Sequence, residues 1–588
     1  MALGTPSESP AVVVKEIDLT GGVPNVQSTT GAIVGNFRWG PVEERTLVNN
    51  EATLVDTFAN PDSDTTIDFH SAAYFLRYTS SLQVVREVTS VAKNSRSIVG
   101  QANTDSDGSL DTEIVKNEID FNSQKSSLSA ASHTFVAKYP GELGNSLKVS
   151  LLAADSAGGV TFSNWTYADD FDKAPGTSVY ASGRGASRDE VHVAIIDSNG
   201  EFTGTAGTVL ETFPFLSIAD DAKNTDGTTN YIEDVINERS EYIWMVGFDS
   251  DYQVAGAGTT STNGKSYAVN TSTLASDYPM AQGVNSSPLT TSEILTGFDL
   301  FEDRDQVEVD FLIAPGMNAR VDQTTVVNDL VATASSLRKD CIVVASPART
   351  DVINVTNAAT ATTNIIATAN TFTNSSYLVM DNNYLKVYDK YNDQYINIPA
   401  ASSIAGLCAA TDINRGPWFS PAGIRRGNLL GITALAWTPN KSQRDQLYKA
   451  DINPIANIPG QGTLLYGDKT MLGRPSAFDR VNVRRLFLVL ERAIARAAQS
   501  SLFEFNDEFT RAEFVNIVEP VLREVKGRRG ITDFRVVCDE TNNTPAIIDR
   551  NEFIANIFIK PARSINYITL NFVAVRTGVD FEEVVGTV

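Results

Sequence analysis

VEVDFLIAPGMNARVDQTTVVNDLVATASSLRKDCIVVAS, residues 307–346, decides the fold class of this chain. Two apolar runs, Val307–Ala314 and Cys341–Ser346, bracket Thr324–Leu337, whose apolar positions recur at helical spacing. A strand, a helix and a strand in that order predict a parallel or mixed sheet with helices on its faces. The same texture occurs earlier. GAIVGNF from Gly31 reads as a strand, Glu51–Ala59 and Thr66–Tyr78 as helices, and Leu82–Val88 as a strand again.

Between these α/β stretches the composition changes. From Arg96 to Lys265 there are 11 Lys+Arg against 25 Asp+Glu, a local balance of −14 in a chain whose net charge is −24. This segment is rich in Ser, Thr, Gly, Asn and Asp, with short β-prone runs such as Ser146–Leu152 and Glu190–Asp197, so it reads as a mainly β insertion with long loops. The α/β texture on either side implies one core domain interrupted by it.

The last third is of another kind. After the Pro/Gly-rich stretch Asn453–Gly462, Val481–Gln499 reads as a strong helix, with Val483, Phe487, Leu490 and Ile494 on one face. Arg485, Arg492 and Arg496 form a stripe opposite, flanked by Leu488 and Val489. Asp533–Val575 then holds three β-rich runs and two polar breaks, and strands so placed must pair within the chain or with a neighbour. At the other end Ala11–Leu19 (AVVVKEIDL) is a short β-prone run between flexible segments, read on its own as an edge strand.

The expected fold is therefore α/β (α+β) and multidomain. The divisions are 1–22 an N-terminal strand arm, 23–95 and 298–462 the two parts of a core domain, 96–297 an inserted acidic β-rich outer domain, and 463–588 a C-terminal α+β domain ending in a strand arm. At 588 residues the chain is too long for one core, and 42% apolar content is that of a folded protein.

Chemistry is hard to find. The acidic balance argues against nucleic acid and against docking on an anionic membrane. No apolar run approaches the ~20 residues of a membrane span, and the first residues lack the pattern of a signal peptide. Cys341, Cys408 and Cys538 stand far apart beside apolar neighbours, as buried small hydrophobes do. His70, His133 and His192 share no metal-ligand spacing, and structural roles are expected for all three. Gly258–Ser266 has five residues between its glycines where a phosphate loop has four, so it is rejected. Adjacent acids such as Asp169–Asp170, Asp189–Glu190 and Asp220–Asp221 are expected on solvated loops of so acidic a chain. No enzyme, cofactor or metal is expected.

An ordered set of phrases points elsewhere. They are FRWGP (Phe37–Pro41), YPGELGN (Tyr139–Asn145), YDKYND (Tyr388–Asp393), IAGLCAATD (Ile404–Asp412), SPAG (Ser420–Gly423) and QRDQLY (Gln443–Tyr448). LYGDKT (Leu465–Thr470), FDRVNVRRLF (Phe478–Phe487), TNNTPAIIDRNEF and PARSINYITLNF follow. In number and order these phrases resemble those of the tail sheath proteins of contractile-tailed bacteriophages, of the large multidomain type. Between about Val91 and Lys138 the chain looks shorter than the largest members, which carry an additional outer domain there.

The resemblance implies a virion protein that polymerises as stacked hexameric rings around the tail tube, assembled extended and metastable in the host cytoplasm. It then contracts to drive the tube through the host envelope. The implied partners are the chain itself, the tube protein, and baseplate and tail terminator proteins, with no nucleic acid and no membrane insertion. It also implies strand exchange between subunits, with Val12, Val13, Val14 and Ile17 in one arm and Tyr567, Ile568, Leu570 and Phe572 in the other. Arg484, Arg485, Arg492 and Arg496 become candidates for a surface facing the tube. A bacterial injection-machine sheath, another shell or lattice protein, and a hydrolase using carboxylates of the acidic segment are the rival readings.

Overall fold

The computed structural model describes residues 29–97, 114–130, 134–154, 162–247, 267 and 275–565. They form two compact units, a larger one of residues 29–417 and 421–492 and a smaller one of residues 418–420 and 493–565.

The larger unit is organised by a six-stranded sheet. Its first strands are β1 (Gly31–Gly35), β2 (Arg45–Val48) and β3 (Leu82–Arg86), joined through helices α1 (Glu51–Phe58) and α2 (Thr66–Leu76). Asn50 caps α1 by accepting from the Thr53 amide. The chain then leaves for the insertion, whose strands are β4 (Arg96–Ser97), β5 (Phe135–Ala137), β6 (Leu147–Ala153), β7 (Glu190–Asp197), β8 (Thr208–Ser217), β9 (Ile243–Met245) and β10 (Ala275–Ala281). These pair only antiparallel, in the order β8-β7-β6-β10-β4-β5-β9, over a core of their own that includes Trp165, Phe171, Ile195 and Tyr278.

On its return the chain completes the first sheet with β11 (Phe311–Ile313), helix α3 (Arg320–Ala332), β12 (Ile342–Ala345) and β13 (Leu378–Met380). The order is β13-β12-β11-β1-β3-β2, parallel except for β2. Residues 31–86 and 311–380, more than two hundred positions apart, thus share one ladder. Both faces are covered, as a parallel sheet requires. Phe311, Ile313, Ile342 and Val344 point to one apolar cluster and Leu312, Val343 and Ala345 to the other.

A three-stranded antiparallel sheet follows, β14 (Tyr384–Asp389), β15 (Gln394–Pro399) and β16 (Ala434–Leu435), with helix α4 (Ala401–Asn414) between the last two. β17 (Ile455–Ile458) and β18 (Gly462–Leu465) make a hairpin. Helix α5 (Val481–Gln499) places residues 481–492 in the larger unit and 493–499 in the smaller. The smaller unit continues with α6 (Glu508–Gly527), β19 (Ile531–Val537) and β20 (Asn556–Pro561), the two strands pairing antiparallel.

The quoted phrases are joints. Arg86, 2% exposed at the end of β3, donates to the carbonyls of Phe37 (2.7 Å), Gly40 (2.8 Å) and Pro140 (2.7 Å), tying FRWGP to YPGELGN where the insertion meets the core. Asn145 of the second phrase bonds the backbone of Gly283 in both directions, at 2.7 and 3.0 Å. Asp389 of YDKYND accepts from Thr66 Oγ1 at 2.7 Å and from the Tyr391 amide at 2.9 Å, fixing the start of α2.

Two consequences are measurable. A methyl group at Gly406 would lie 2.4 Å from Cδ2 of Tyr78, whose hydroxyl accepts from the Leu430 amide at 2.8 Å and so cannot yield freely. Gly406→Ala should destabilise by about 1–3 kcal/mol through overpacking, outweighing the ~1 kcal/mol that alanine gains in a helix, as a lowered thermal midpoint in calorimetry would show. Glu87 is buried with Oε1 unpartnered, and that burial, aided by Glu43, pushes its carboxyl up to about 8. The folded state therefore binds this proton more tightly than the unfolded one. Its contribution to stability should fall as pH rises from about 4.5 toward 8, by at most ~1.4 kcal/mol per pH unit. Glu87→Gln should remove that part of the slope in denaturation curves taken across the window.

Candidate assembly surfaces

The histidines and cysteines among the described residues are buried. His192 is buried against the Phe171 ring, with Nε2 donating to the Lys173 carbonyl (2.8 Å) and Nδ1 accepting from the Phe215 amide (3.1 Å). His70 Nδ1 lies 2.9 Å from the Thr66 carbonyl, and burial holds both imidazoles below their ordinary range. His133 lies outside the described residues. The three cysteines are buried and unpaired, and burial pushes the Cys341 thiol up to about 12 and that of Cys408 to about 11, far from a nucleophile's range. Asp189 is not a solvated acid: it accepts from Ser178 and Ser217 in the interior of the insertion. Asp169 and Asp170 are exposed. Among the described residues there is no His/Cys/Asp/Glu group placed to hold a metal, and no helix long and apolar enough to cross a membrane.

The arginines of α5 correct the sequence reading. Arg485, 3% exposed, forms an ion pair with Asp412 and donates to the Cys408 carbonyl at 3.0 Å, binding FDRVNVRRLF to IAGLCAATD. Burial alone would lower its affinity for its proton, and the Asp412 carboxylate more than offsets that, leaving the guanidinium above its ordinary value. Arg492 pairs with Asp310 at 2.7 Å and donates to the Asp340 carbonyl at 2.8 Å. Arg484 donates to Ser376 Oγ at 2.6 Å and lies over the rings of Tyr377 and Phe478. These three, buried or nearly so, do not form a solvated stripe. The helix is amphipathic, but its cationic side points inward because Asp310 and Asp412, distant in sequence, neutralise it. Arg496, in the smaller unit, is partly exposed.

The strand-exchange residues Val12, Val13, Val14, Ile17, Tyr567, Ile568, Leu570 and Phe572 lie outside the described residues. β19 and β20 form a sheet of two strands, with no third among the described residues, and Asn556–Pro561 alternates exposed and half-buried positions. A two-stranded ladder has an open edge on each side and is marginal in isolation. Here Lys526 of α6 pairs with Asp533 at 3.0 Å, and Ala562 donates to the Gly530 carbonyl at 3.1 Å.

Residues 288–471 match the phage tail sheath protein central domain, and residues 474–574 the phage tail sheath C-terminal domain. Over 98% of its length the chain is 32% identical to the tail sheath protein of Enterobacteria phage T4, covering 99% of that protein. The chain belongs to the phage tail sheath proteins. As a sheath protein of a contractile phage tail it is a structural component of the virion. The tail sheath protein of Vibrio phage KVP40 is 31% identical over 98% of this chain and 99% of its own length. Among solved structures, the sheath tail protein of Listeria innocua shares the fold over 92% of this chain and 93% of its own (TM-score 0.54, 11% identity). That of Desulfitobacterium hafniense does so over 90% and 94% (TM-score 0.51, 12% identity).

Breaking one inward pair has a definite expected cost. Arg485→Met leaves the Asp412 carboxylate buried without its cation and should destabilise the larger unit by about 3–5 kcal/mol. The double variant Arg485→Met/Asp412→Leu should recover most of that loss, because the buried charge is then gone as well. Denaturant unfolding of the two variants beside the parent measures it.

Proposed function

We propose that this protein assembles as stacked hexameric rings around a tail tube, stays extended in a metastable state, and contracts to drive the tube through the host envelope. The observation that carries the reading is the near-full-length likeness to tail sheath proteins, at 32% and 31% identity. Its partners are further copies of itself, the tube protein, and the baseplate and terminator proteins, and it assembles in the host cytoplasm.

A helical polymer needs heterologous contacts, one patch meeting a different patch on the next copy. In this reading the arms, residues 1–22 and a strand within 565–585, reach neighbouring subunits, where main-chain hydrogen bonds give direction without fixing the angle between rigid bodies. The β19–β20 ladder, two-stranded among the described residues, suits such an addition. Arg496, partly exposed, is kept in this reading as a tube-facing candidate. Contraction draws on repacking between subunits, from a kinetically trapped state to one of lower free energy.

Electron microscopy of full-length protein supplied with tail tubes should show hollow helical sheaths, and removal of residues 1–22 should leave monomers or short rings. Contraction should proceed without nucleotide. Monomers at high concentration beside added tubes, or a requirement for ATP, would overturn the reading.

A further inference from the structure

The turn between α5 and α6 exposes an unusual amount of apolar surface. Leu502 is 62% exposed, Phe509 80%, Phe505 84% and Phe503 fully, four large apolar side chains within eight residues. One exposed phenylalanine needs no explanation, but a cluster rimmed by polar groups marks an interaction site. The rim is acidic, with Glu504, Asp507 and Glu508 all exposed. Nor is the turn loose. Asn506 Nδ2 donates to the Glu552 carbonyl at 2.8 Å, Arg511 Nη1 donates to Asn506 Oδ1 at 3.0 Å, and Asp507 caps α6 by accepting from the Thr510 amide at 2.8 Å. The aromatic rings are thus presented on an anchored scaffold, with little left to order on binding.

A complementary surface exists on the same chain. Near the SPAG phrase stand Arg415 and Arg425, both exposed, and Arg426, half-buried. Burial lowers the Arg426 guanidinium, and the charges of Arg425 and Arg415 lower it further. Exposed apolar side chains accompany them, Ile413 (57%), Ile424 (62%) and Leu430. This loop is also anchored, by the Gly423 amide to the Leu465 carbonyl (2.9 Å) and the Leu465 amide to the Gly427 carbonyl (2.8 Å).

We propose that the acidic aromatic tip, Leu502–Phe509, of one copy docks on the cationic apolar loop around Ile424–Arg426 of a second copy. The two patches differ, so the contact is heterologous and propagates rather than closing a dimer. Exposed ion pairs are each worth little, so the buried rings supply the affinity. The charges set register and speed encounter between copies that otherwise repel. The inference rests on the polymer reading above and adds a contact made by side chains.

Two measurements on the full-length protein test it. Phe503→Ser/Phe505→Ser and Arg425→Glu/Arg426→Glu should keep the parental circular dichroism melt yet cut the sedimentable polymer formed on tail tubes at least about tenfold. Combining Arg425→Glu/Arg426→Glu with Glu504→Arg/Glu508→Arg should restore much of it. Separately, Phe505→Cys protein mixed with Ile424→Cys protein should give a disulfide-linked heterodimer under mild oxidation, the native cysteines being buried. Normal polymer from either double variant, or the absence of that heterodimer, overturns the contact. Loss of tube binding by the tip variant without the crosslink also overturns it, and assigns the tip to the tube instead. If the unsubstituted protein fails to polymerise, the polymer reading falls, while the crosslink still decides the contact by itself.

Discussion

Arg485 can be buried only because Asp412 is buried beside it. A guanidinium and a carboxylate each lose several kcal/mol of hydration on leaving water, and only direct pairing with added hydrogen bonds offsets that loss. The Cys408 carbonyl supplies one such bond, and Arg492 repeats the arrangement with Asp310. Through these pairs the first half of α5 is specified against the end of α4 and the start of β11 by charge as well as by shape. Val481 and Leu488, which join the apolar cluster below the sheet, add attraction of a kind that many registers would satisfy. The charged pairs tolerate one.

Arg86 applies the same constraint to the insertion. Its cation is surrounded by carbonyl oxygens of two loops, one from the core and one between β5 and β6 of the outer sheet. Neither loop satisfies it alone. A mainly antiparallel sheet inserted between two strands of a parallel one is thereby fixed where it leaves the core. An assembly whose subunits move as rigid bodies needs joints of this sort, since flexible ones would absorb the displacement that must be passed to the neighbouring copy.

The smaller unit follows another rule. Among the described residues its sheet has two strands, and its turn between α5 and α6 leaves aromatic rings in water. Both are costly in a solitary protein and useful in one that is completed by further copies of itself. The family to which the chain belongs is one of structural tail proteins, and apolar surface left for a neighbour suits a subunit that polymerises.

Much of this was legible from the sequence by itself. Local periodicity marked β1, α2, β3, β12 and α5 to within a few residues, because apolar spacing follows directly from the geometry of helices and strands. Composition set the acidic insertion apart, and the ordered phrases named the family. The arginines of α5 were misread, and the exposed rings between α5 and α6 passed unnoticed. A helical wheel says which residues share a face but not what lies opposite, and Asp310 and Asp412 sit 182 and 73 positions from their partners. Likewise an apolar residue looks the same in sequence whether it is buried or left for a neighbour. The sequence alone determined the elements, the charge distribution and the family, since these depend on residues close in the chain or on their order. Only the tertiary structure decided which charges turn inward and which apolar groups stay outside, because burial is a property of contacts between distant segments.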